Sequence, residues 1–215
     1  MLKEGLFLQK SQQNRKRLLN KNDFLFIGLW NPDNIYQDTR HNIGSKVINL
    51  FAEKTGSKFT ISDDGSYEQS ISKINGKSIL VVKPMVSMNN SGVAIKKVLN
   101  ETDLEHEDIC VVHDDIDLPF GRLRLKIGSS DGGHNGVRSI NNELGSQSYY
   151  RLKLGLGRPR KSIDPADYVL SPFLKEEIEE IDFLVVDSVD VLLAFLLDKE
   201  NAIKKASERR IIDVV

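Results

Sequence analysis

Cysteine is almost absent from the sequence, which has only Cys110 among its 215 residues. A single cysteine cannot form an internal disulfide, and it leaves no cysteine cluster of the kind that binds zinc. Cys110 lies in the apolar run 109–112, which favours a buried strand residue over a reactive thiol. The sequence therefore supports neither a disulfide scaffold nor a cysteine zinc site.

Long apolar runs are also missing, since none approaches the roughly 20 residues that span a membrane. The first 21 residues carry six Lys or Arg and one Glu, but their apolar stretch, 6–8, is too short for a signal peptide. We expect residues 1–22 to form a basic, disordered extension; an organelle transit peptide is the alternative. Residues 23–215 are then one domain of a cytoplasmic protein that does not bind membranes.

The net charge of −1 hides an uneven distribution of charge along the chain. Nine Lys or Arg face two acidic residues in 121–161, a net +7, whereas one Lys faces nine Asp or Glu in 162–190, a net −8. Such asymmetry suggests a polyanionic partner on one face. The alternative is an ordinary solvated surface.

Apolar runs and alternating patterns predict a mixed sheet. The run 24–29 is wholly apolar, as in a parallel strand that is buried on both faces. Asn75 and Gly76 favour a tight hairpin between two antiparallel strands. Strands are predicted at 24–29, 67–74, 78–82, 109–112, 122–127 and 150–154. We therefore expect a single α/β domain with a mixed, mostly parallel twisted sheet flanked by helices.

Helical spacing of apolar residues predicts the remaining elements. Helices are expected at 43–51, 93–99, 135–144, from about 174 onward, and at 202–210. Asn135 is predicted as an N-cap, and Ser171 with Pro172 as the cap and first residue of the helix near 174. In that helix Ile178, Ile181 and Val185 should face inward.

Polar residues follow several of the predicted strands. In open α/β sheets the loops at the carboxyl ends of the strands form one crevice, where ligands bind. The loops here contain Asn31, His41, Asn89 and Asp114, and a glycine-rich loop leads to Asn135. A histidine, a carboxylate and three amides suggest a general base, its orienting group and donors to a polarised carbonyl. This combination predicts hydrolysis without a metal and without a nucleophilic Ser or Cys.

Each of these residues also has a structural interpretation. His41 could be a capping or surface residue, Asn31 an ordinary turn residue before proline, and Asn89 a helix cap. Asp114 could cap a turn, or bind a metal with its acidic neighbours, although no His or Cys spacing supports a metal. Structural roles beside the site are expected for His113 and His134. The glycine-rich loop does not match a dinucleotide or Walker motif.

Four motifs occur in a characteristic order: GLWNPDNIYQDTRHNIG, PMVSMNNSG, HDDIDLPFGRLRLKIG and GGHNGVRSI. Together they resemble the bacterial-type peptidyl-tRNA hydrolases, from about residue 24 to the C-terminal helices. The resemblance implies a monomeric α/β enzyme that cleaves the ester joining a stalled peptide to the 3' end of tRNA. It also implies that no cofactor or metal takes part.

The resemblance further implies roles for individual residues. His41 matches the catalytic base, Asp114 the carboxylate that orients it, and Asn31 a residue that positions the histidine and the substrate. The matched substrate-binding residues are Tyr36, Met88, Asn89 and Asn135. The matched tRNA-binding residues are Lys126, Arg151 and Lys153.

Three positions depart from the family pattern. Trp30 replaces a small residue and could narrow the peptide channel, while Asp33 replaces a glycine and could strain a turn. Asp131 adds a negative charge to the glycine-rich loop. Two other functions are considered: an RNA-binding homologue with weak or no hydrolysis, and a hydrolase of small esters or amides.

Overall fold

A seven-stranded mixed sheet forms the centre of the protein in a computed structural model that describes residues 22–209. Its strands are β1 (Phe24–Gly28), β2 (Thr60–Ile61), β3 (Tyr67–Ile74), β4 (Lys77–Pro84), β5 (Ile109–Asp115), β6 (Leu123–Ile127) and β7 (Tyr150–Gly155). They lie in the order β2-β3-β4-β1-β5-β7-β6.

Strand direction divides the sheet into a parallel centre and antiparallel edges. β4, β1, β5 and β7 are parallel neighbours. β2 and β3 join one side, and β6 joins the other, by antiparallel pairing. The predicted α/β domain with a mixed sheet is therefore confirmed, although the antiparallel pairings are as many as the parallel ones.

Helices cover both faces of the sheet. They are α1 (Ile43–Lys54), α2 (Ser91–Asn100), α3 (Asn135–Leu144), α4 (Pro165–Val169), α5 (Lys175–Phe195) and α6 (Lys199–Glu208). Apolar residues of α1, α5 and α6 form one core layer, and those of α2 and α3 form the other. β1 supplies both layers, with Phe24 and Phe26 on the first side and Leu25 and Ile27 on the second. The prediction that β1 is buried on both faces is confirmed.

The predicted hairpin is present between β3 and β4. Asn75 has φ 51° and Gly76 has φ 79°, and Ile74 pairs with Lys77. Two consecutive positive φ angles are what a tight hairpin turn requires, and Asn and Gly tolerate them best. Local turn chemistry thus decided this part of the fold.

The helix predicted from about 174 begins within one residue of that position, but its predicted cap and first residue were wrong. Ser171 and Pro172 do not begin a helix, because Pro172 forms an isolated bridge with Thr39. α5 begins instead at Lys175, after Leu174, whose N–H donates to the Glu177 carboxylate at 2.7 Å. The short helix α4 was not predicted, because it is too brief to show a periodic pattern.

Smaller errors concern the last two helices and a cap. Ile181 and Val185 are buried as predicted, but Ile178 is largely exposed. α6 begins three residues earlier than predicted, after Asp198, whose carboxylate accepts from two backbone N–H groups. The predicted cap Asn135 is the first helical residue of α3, and His134 is the cap.

Residues 1–21 and 210–215 lie outside the described residues, so the predicted basic extension falls there except for Asn22. α6 ends at Glu208, two residues before the predicted end at Arg210, because Arg209 has a non-helical ψ of 131°. Among the described residues, no helix is long and apolar enough to cross a membrane.

The start of α1 packs directly against the sheet. A Cβ atom added at Gly44 would overlap the Val112 carbonyl oxygen of β5 and lie 2.8 Å from the Leu29 backbone N. Only glycine allows this approach, because both obstacles are backbone atoms that cannot rotate away. The contact sets the position of the residues that immediately precede α1.

We predict that Gly44→Ala lowers the free energy of unfolding by about 1–3 kcal/mol, because the added methyl group forces α1 away from β5. Urea unfolding followed by circular dichroism measures the change. Asn49→Ala, at an exposed position of the same helix, is the control and should change stability by less than about 0.5 kcal/mol. Equal stability of both variants would contradict the packing argument.

Candidate active site

Loops at the carboxyl ends of the central strands surround one cavity of about 600 Å³. Because β1, β4 and β5 are parallel, the loops that follow them lie at the same edge of the sheet. The cavity brings together all the predicted catalytic and substrate-binding residues: Asn31, Tyr36, His41, Met88, Asn89, Asp114 and Asn135.

His41 and Asp114 are in direct contact in the wall of this cavity. His41 lies in a turn of 3₁₀ helix (Arg40–Asn42) before α1, and Asp114 lies near the end of β5. The His41 Nδ1 atom is 2.9 Å from Asp114 Oδ1 and 3.1 Å from Oδ2, and both residues are buried. A carboxylate only accepts, so Nδ1 carries the proton and Nε2 keeps a lone pair. Nε2 has no partner among the described residues.

His134 binds the same carboxylate from the other side. Its Nδ1 accepts hydrogen bonds from the backbone N–H groups of Gly136 and Val137, at 3.1 and 3.3 Å. Its Nε2 must therefore carry the proton, which it donates to Asp114 Oδ1 at 3.0 Å. One neutral imidazole thus caps α3 and also holds the carboxylate. A structural role beside the site was predicted, but not this double function.

The pKa values of His41 and Asp114 are set by burial and by the charges of their neighbours. Burial disfavours the charged imidazolium of His41, but the Asp114 carboxylate outweighs this effect, so the pKa of His41 is raised above its usual value. Burial favours protonated Asp114, yet the two histidines hold the pKa of this carboxyl well below its usual range. Asp114 therefore stays ionised while His41 exchanges its proton.

The two other buried imidazoles are kept neutral. Burial lowers the pKa of His134, against the attraction of Asp114. His113 Nδ1 donates to the Asp114 backbone carbonyl at 2.6 Å, and burial together with His134 lowers the pKa of His113 to about 3. Neutral neighbours add no second positive charge that would repel an imidazolium at His41.

Asn31 is held in place by Asn42, which the sequence analysis did not single out. The Asn42 side chain accepts from Asn31 N at 2.8 Å and donates to the carbonyls of Asn31 and Tyr36 at 3.0 and 2.8 Å. Asn31 Oδ1 in turn accepts from Met88 N at 2.8 Å. The Asn31 amide nitrogen is therefore left as a donor at the cavity.

Arg40, next to His41, is a buried cation that was also missed. Its guanidinium binds both oxygens of Glu177 in α5, at 3.1 and 2.7 Å, and lies 4.4 Å from the ring centre of Tyr168. A bidentate pair of this kind fixes orientation as well as distance. It ties the turn that carries His41 to α5. In the sequence, the only sign of a role for Arg40 at the site is its position next to His41.

The remaining predicted substrate-binding residues lie around the rim and wall. Met88 is buried, with its sulfur against Gly136, and forms an apolar wall. Asn89 and Asn135 are exposed, and Tyr36 is partly exposed. Asn135 Oδ1 accepts from Arg138 at 3.3 Å, so its amide nitrogen remains available to a ligand.

The predicted tRNA-binding residues differ in exposure. Lys126 lies exposed on the edge strand β6. Lys153 is largely covered and forms an ion pair with Asp115 at 2.8 Å. Arg151 is fully buried, and its guanidinium donates to the backbone carbonyls of Ser129 and Ser130. The buried Arg151 therefore anchors the glycine-rich loop and does not face solvent, as a residue in direct contact with tRNA would.

The family departures are accommodated without strain at the site. Asp33 has φ −64°, so no positive φ is needed there, and the expected strain is absent. Trp30 is not among the residues that line the cavity, so its effect on the peptide channel stays a prediction. The charge of Asp131 is offset, since its carboxylate accepts from Gly133 N at 2.8 Å and lies 3.4 Å from Arg138.

His41, Asp114 and His134 also offer ligand atoms within 4.8 Å of one another, as a metal site would. However, the two His–Asp contacts have hydrogen-bond lengths of 2.9 and 3.0 Å, and each has an assigned donor proton. The hydrogen-bonded arrangement accounts for these atoms without an ion. The absence of a metal or cofactor stays a prediction.

We predict that His41 titrates with a midpoint above about 6.5, the ordinary histidine value, and that His113 and His134 titrate below it. The raised pKa reflects Asp114, and the lowered values reflect burial. Histidine NMR signals followed from pH 4 to 9 measure the midpoints, with His41→Ala and His134→Gln used for assignment. A His41 midpoint below 6.5 would contradict the proposed charge balance.

Comparison with known proteins identifies the family. The sequence profile described as "Peptidyl-tRNA hydrolase" matches residues 25–213. A peptidyl-tRNA hydrolase of Aquifex aeolicus (strain VF5) is 39% identical over 194 residues, which are 87% of this chain and 98% of that protein. One of Sulfurovum sp. (strain NBC37-1) is 42% identical over 180 residues, 84% and 93% of the two chains.

The solved structures agree with the sequence comparison. The crystal structure of the peptidyl-tRNA hydrolase from Acinetobacter baumannii superimposes with a TM-score of 0.80 at 27% identity, and the match covers 88% of this chain and 97% of that chain. Together with the profile match and the two relatives, this shows that the chain belongs to the peptidyl-tRNA hydrolase family.

Proposed function

We propose that this hydrolase cleaves the ester bond between peptide and tRNA with His41 as the general base, and so returns tRNA from stalled or aborted translation. Family membership supports the substrate, peptidyl-tRNA. The observation that carries the mechanism is the 2.9 Å contact between His41 Nδ1 and Asp114 Oδ1 in the cavity wall. It leaves the Nε2 lone pair as the available base.

The first step is attack by water on the ester carbonyl. His41 Nε2 takes a proton from the water as its oxygen bonds to the carbonyl carbon, and Asp114 stabilises the imidazolium that forms. General base catalysis of this kind contributes roughly 10² to 10⁴-fold in rate. The negative charge develops on the former carbonyl oxygen.

Amide groups are the proposed donors to this oxyanion and to the peptide backbone. Asn31 and Asn135 each have their oxygen engaged, which directs their nitrogens to other partners. Asn89 lies exposed at the same cavity. A single oxyanion donor contributes about 10² to 10³ in rate. Tyr36 and Met88 would pack against the peptide.

The second step releases the tRNA. The tetrahedral intermediate collapses, the bond to the 3' ribose oxygen breaks, and that oxygen takes the proton from the His41 imidazolium. The products are a peptide with a free carboxyl group and a tRNA with a free hydroxyl. His41 returns to its neutral form, and neither a covalent enzyme intermediate nor a cofactor is required.

Lys126 is the proposed contact to tRNA phosphates, since it is exposed on an edge strand. Lys153 would join it if its pair with Asp115 opens. For Arg151 we propose an indirect role through the glycine-rich loop, because its guanidinium is buried. One chain holds all the proposed groups, so we propose a monomer, and the ribosomal origin of the substrate suggests the cytoplasm.

Two other functions would give different results in an assay of binding and turnover. An RNA-binding homologue would bind tRNA without turnover, and a small-ester hydrolase would cleave an N-acyl ester but not peptidyl-tRNA. Release of peptide from peptidyl-tRNA, measured beside tRNA binding and cleavage of a small N-acyl ester, separates the three. We expect turnover of peptidyl-tRNA.

We predict that His41→Ala lowers kcat by at least about 10²-fold, because the general base is lost, while tRNA affinity stays within about 2-fold. In the unsubstituted enzyme kcat/KM should fall as pH drops through the His41 pKa, which lies above its usual value. Single-turnover assays from pH 5 to 9 measure both effects. Full activity of His41→Ala would exclude this mechanism.

Lys126→Ala should weaken tRNA binding and reduce the slope of log affinity against log salt by about one, because one phosphate contact is lost. Lys175→Ala, an exposed lysine in the acidic stretch of α5, is the matched control and should leave the slope unchanged. Fluorescence anisotropy with labelled tRNA at several salt concentrations measures the slopes. Identical slopes for both variants would remove Lys126 from the tRNA interface.

A further inference from the structure

Trp30 directly follows β1 and is the only tryptophan in the chain. Its ring is partly buried, and its indole Nε1–H donates to the Pro84 backbone carbonyl at 2.6 Å. Pro84 is the last residue of β4, so this bond joins the loop after β1 to the beginning of the loop after β4.

The neighbouring residue makes a second connection between the same two loops. Asn31 Oδ1 accepts from Met88 N at 2.8 Å, four residues beyond Pro84. The segment 84–88 is therefore bound at both ends by consecutive residues of the first loop. Between these ends, Met85 N donates to the Ser66 carbonyl at 2.8 Å on the opposite side.

The indole is itself held by a buried cation. Lys83 Nζ lies 5.0 Å from the Trp30 ring centre and 4.3 Å from that of Phe59. The same ammonium pairs with Glu68 at 2.7 Å, and its side chain is 9% exposed. A desolvated cation attracts an aromatic face more strongly than an exposed one. Trp30 is therefore fixed by its ring and by its N–H group.

The segment that Trp30 holds forms one wall of the cavity. Ser87, Met88 and Asn89 line the cavity, whereas Trp30 is not among its lining residues. The influence of Trp30 on the site must pass through the segment that it anchors.

We propose that Trp30 is a positioning residue that holds the segment 84–88, and with it the following residue Asn89, in place. In this way Trp30 preforms the wall that receives the peptide part of the substrate. This inference rests on the proposed function. His41 and Asp114 belong to other elements, the turn before α1 and β5. The held segment carries Met88 and Asn89, which we propose to contact the peptide, so loss of the clamp should change substrate binding more than the chemical step.

Trp30→Phe tests the proposal, since phenylalanine keeps an aromatic ring beside Lys83 and lacks the N–H donor. Amide hydrogen exchange in the peptide covering 84–90 should accelerate about 3- to 10-fold, as expected for one lost hydrogen bond. KM for peptidyl-tRNA should rise by a similar factor, with kcat within about 2-fold. Ile35→Ala, at an exposed position of the same loop, is the control and should change neither quantity.

Three results would overturn the proposal: unchanged exchange and KM, a fall in kcat at constant KM, or exchange that accelerates equally across the whole protein. The last would make Trp30 a general stability residue. Hydrogen exchange needs no substrate, so it tests whether Trp30 holds the segment even if the wild-type protein fails to hydrolyse peptidyl-tRNA. That failure would instead remove the proposed function.

Discussion

The buried carboxylate of Asp114 is the group on which the site depends. A carboxylate removed from water is costly unless donors replace the lost hydration. Here two imidazole N–H groups supply them, from His41 at 2.9 Å and from His134 at 3.0 Å. Because each histidine uses a defined nitrogen, satisfying the carboxylate also selects both tautomers. In the proposed mechanism, the carboxylate that orients the His41 ring beforehand would also stabilise the imidazolium that forms.

This arrangement requires the turn that carries His41, the end of β5 and the start of α3 to lie close together. Contacts between these elements and their neighbours hold them there. The His41 turn is held through the contact of Gly44 with β5 and through the pairing of Arg40 with Glu177. α3 lies so close to α2 that a Cβ atom at Gly92 would overlap the Ser139 carbonyl oxygen. Such backbone contacts limit movement of the elements, and precise placement of reacting groups is worth a large part of a catalytic barrier. The cavity is thus built before a substrate arrives.

A positive net charge along a stretch of sequence does not by itself mean a positively charged surface. The stretch 121–161 carries a net +7 in the sequence, yet Arg151 is buried under the glycine-rich loop and Lys153 is paired with Asp115. Lys126 remains as an exposed candidate for phosphate contacts. Alternation along a strand separates two faces, but both faces of an inner strand such as β7 are covered. A basic residue on the non-core side is therefore not automatically a surface residue.

Features that arise within a few residues, or from ordered motifs, could be predicted from the sequence. The apolar run of β1, the Asn75-Gly76 hairpin and the motifs that contain His41 and Asp114 were all readable, because periodicity and turn chemistry act locally. Only the folded structure brings His134 to Asp114, buries Arg151 and joins Trp30 to the Pro84 carbonyl. The contacts behind these features join residues 20 positions apart for His134 and Asp114, 21 for Arg151 and Ser130, and 54 for Trp30 and Pro84. Partners at such separations are set by the packing of whole elements, which no local pattern encodes.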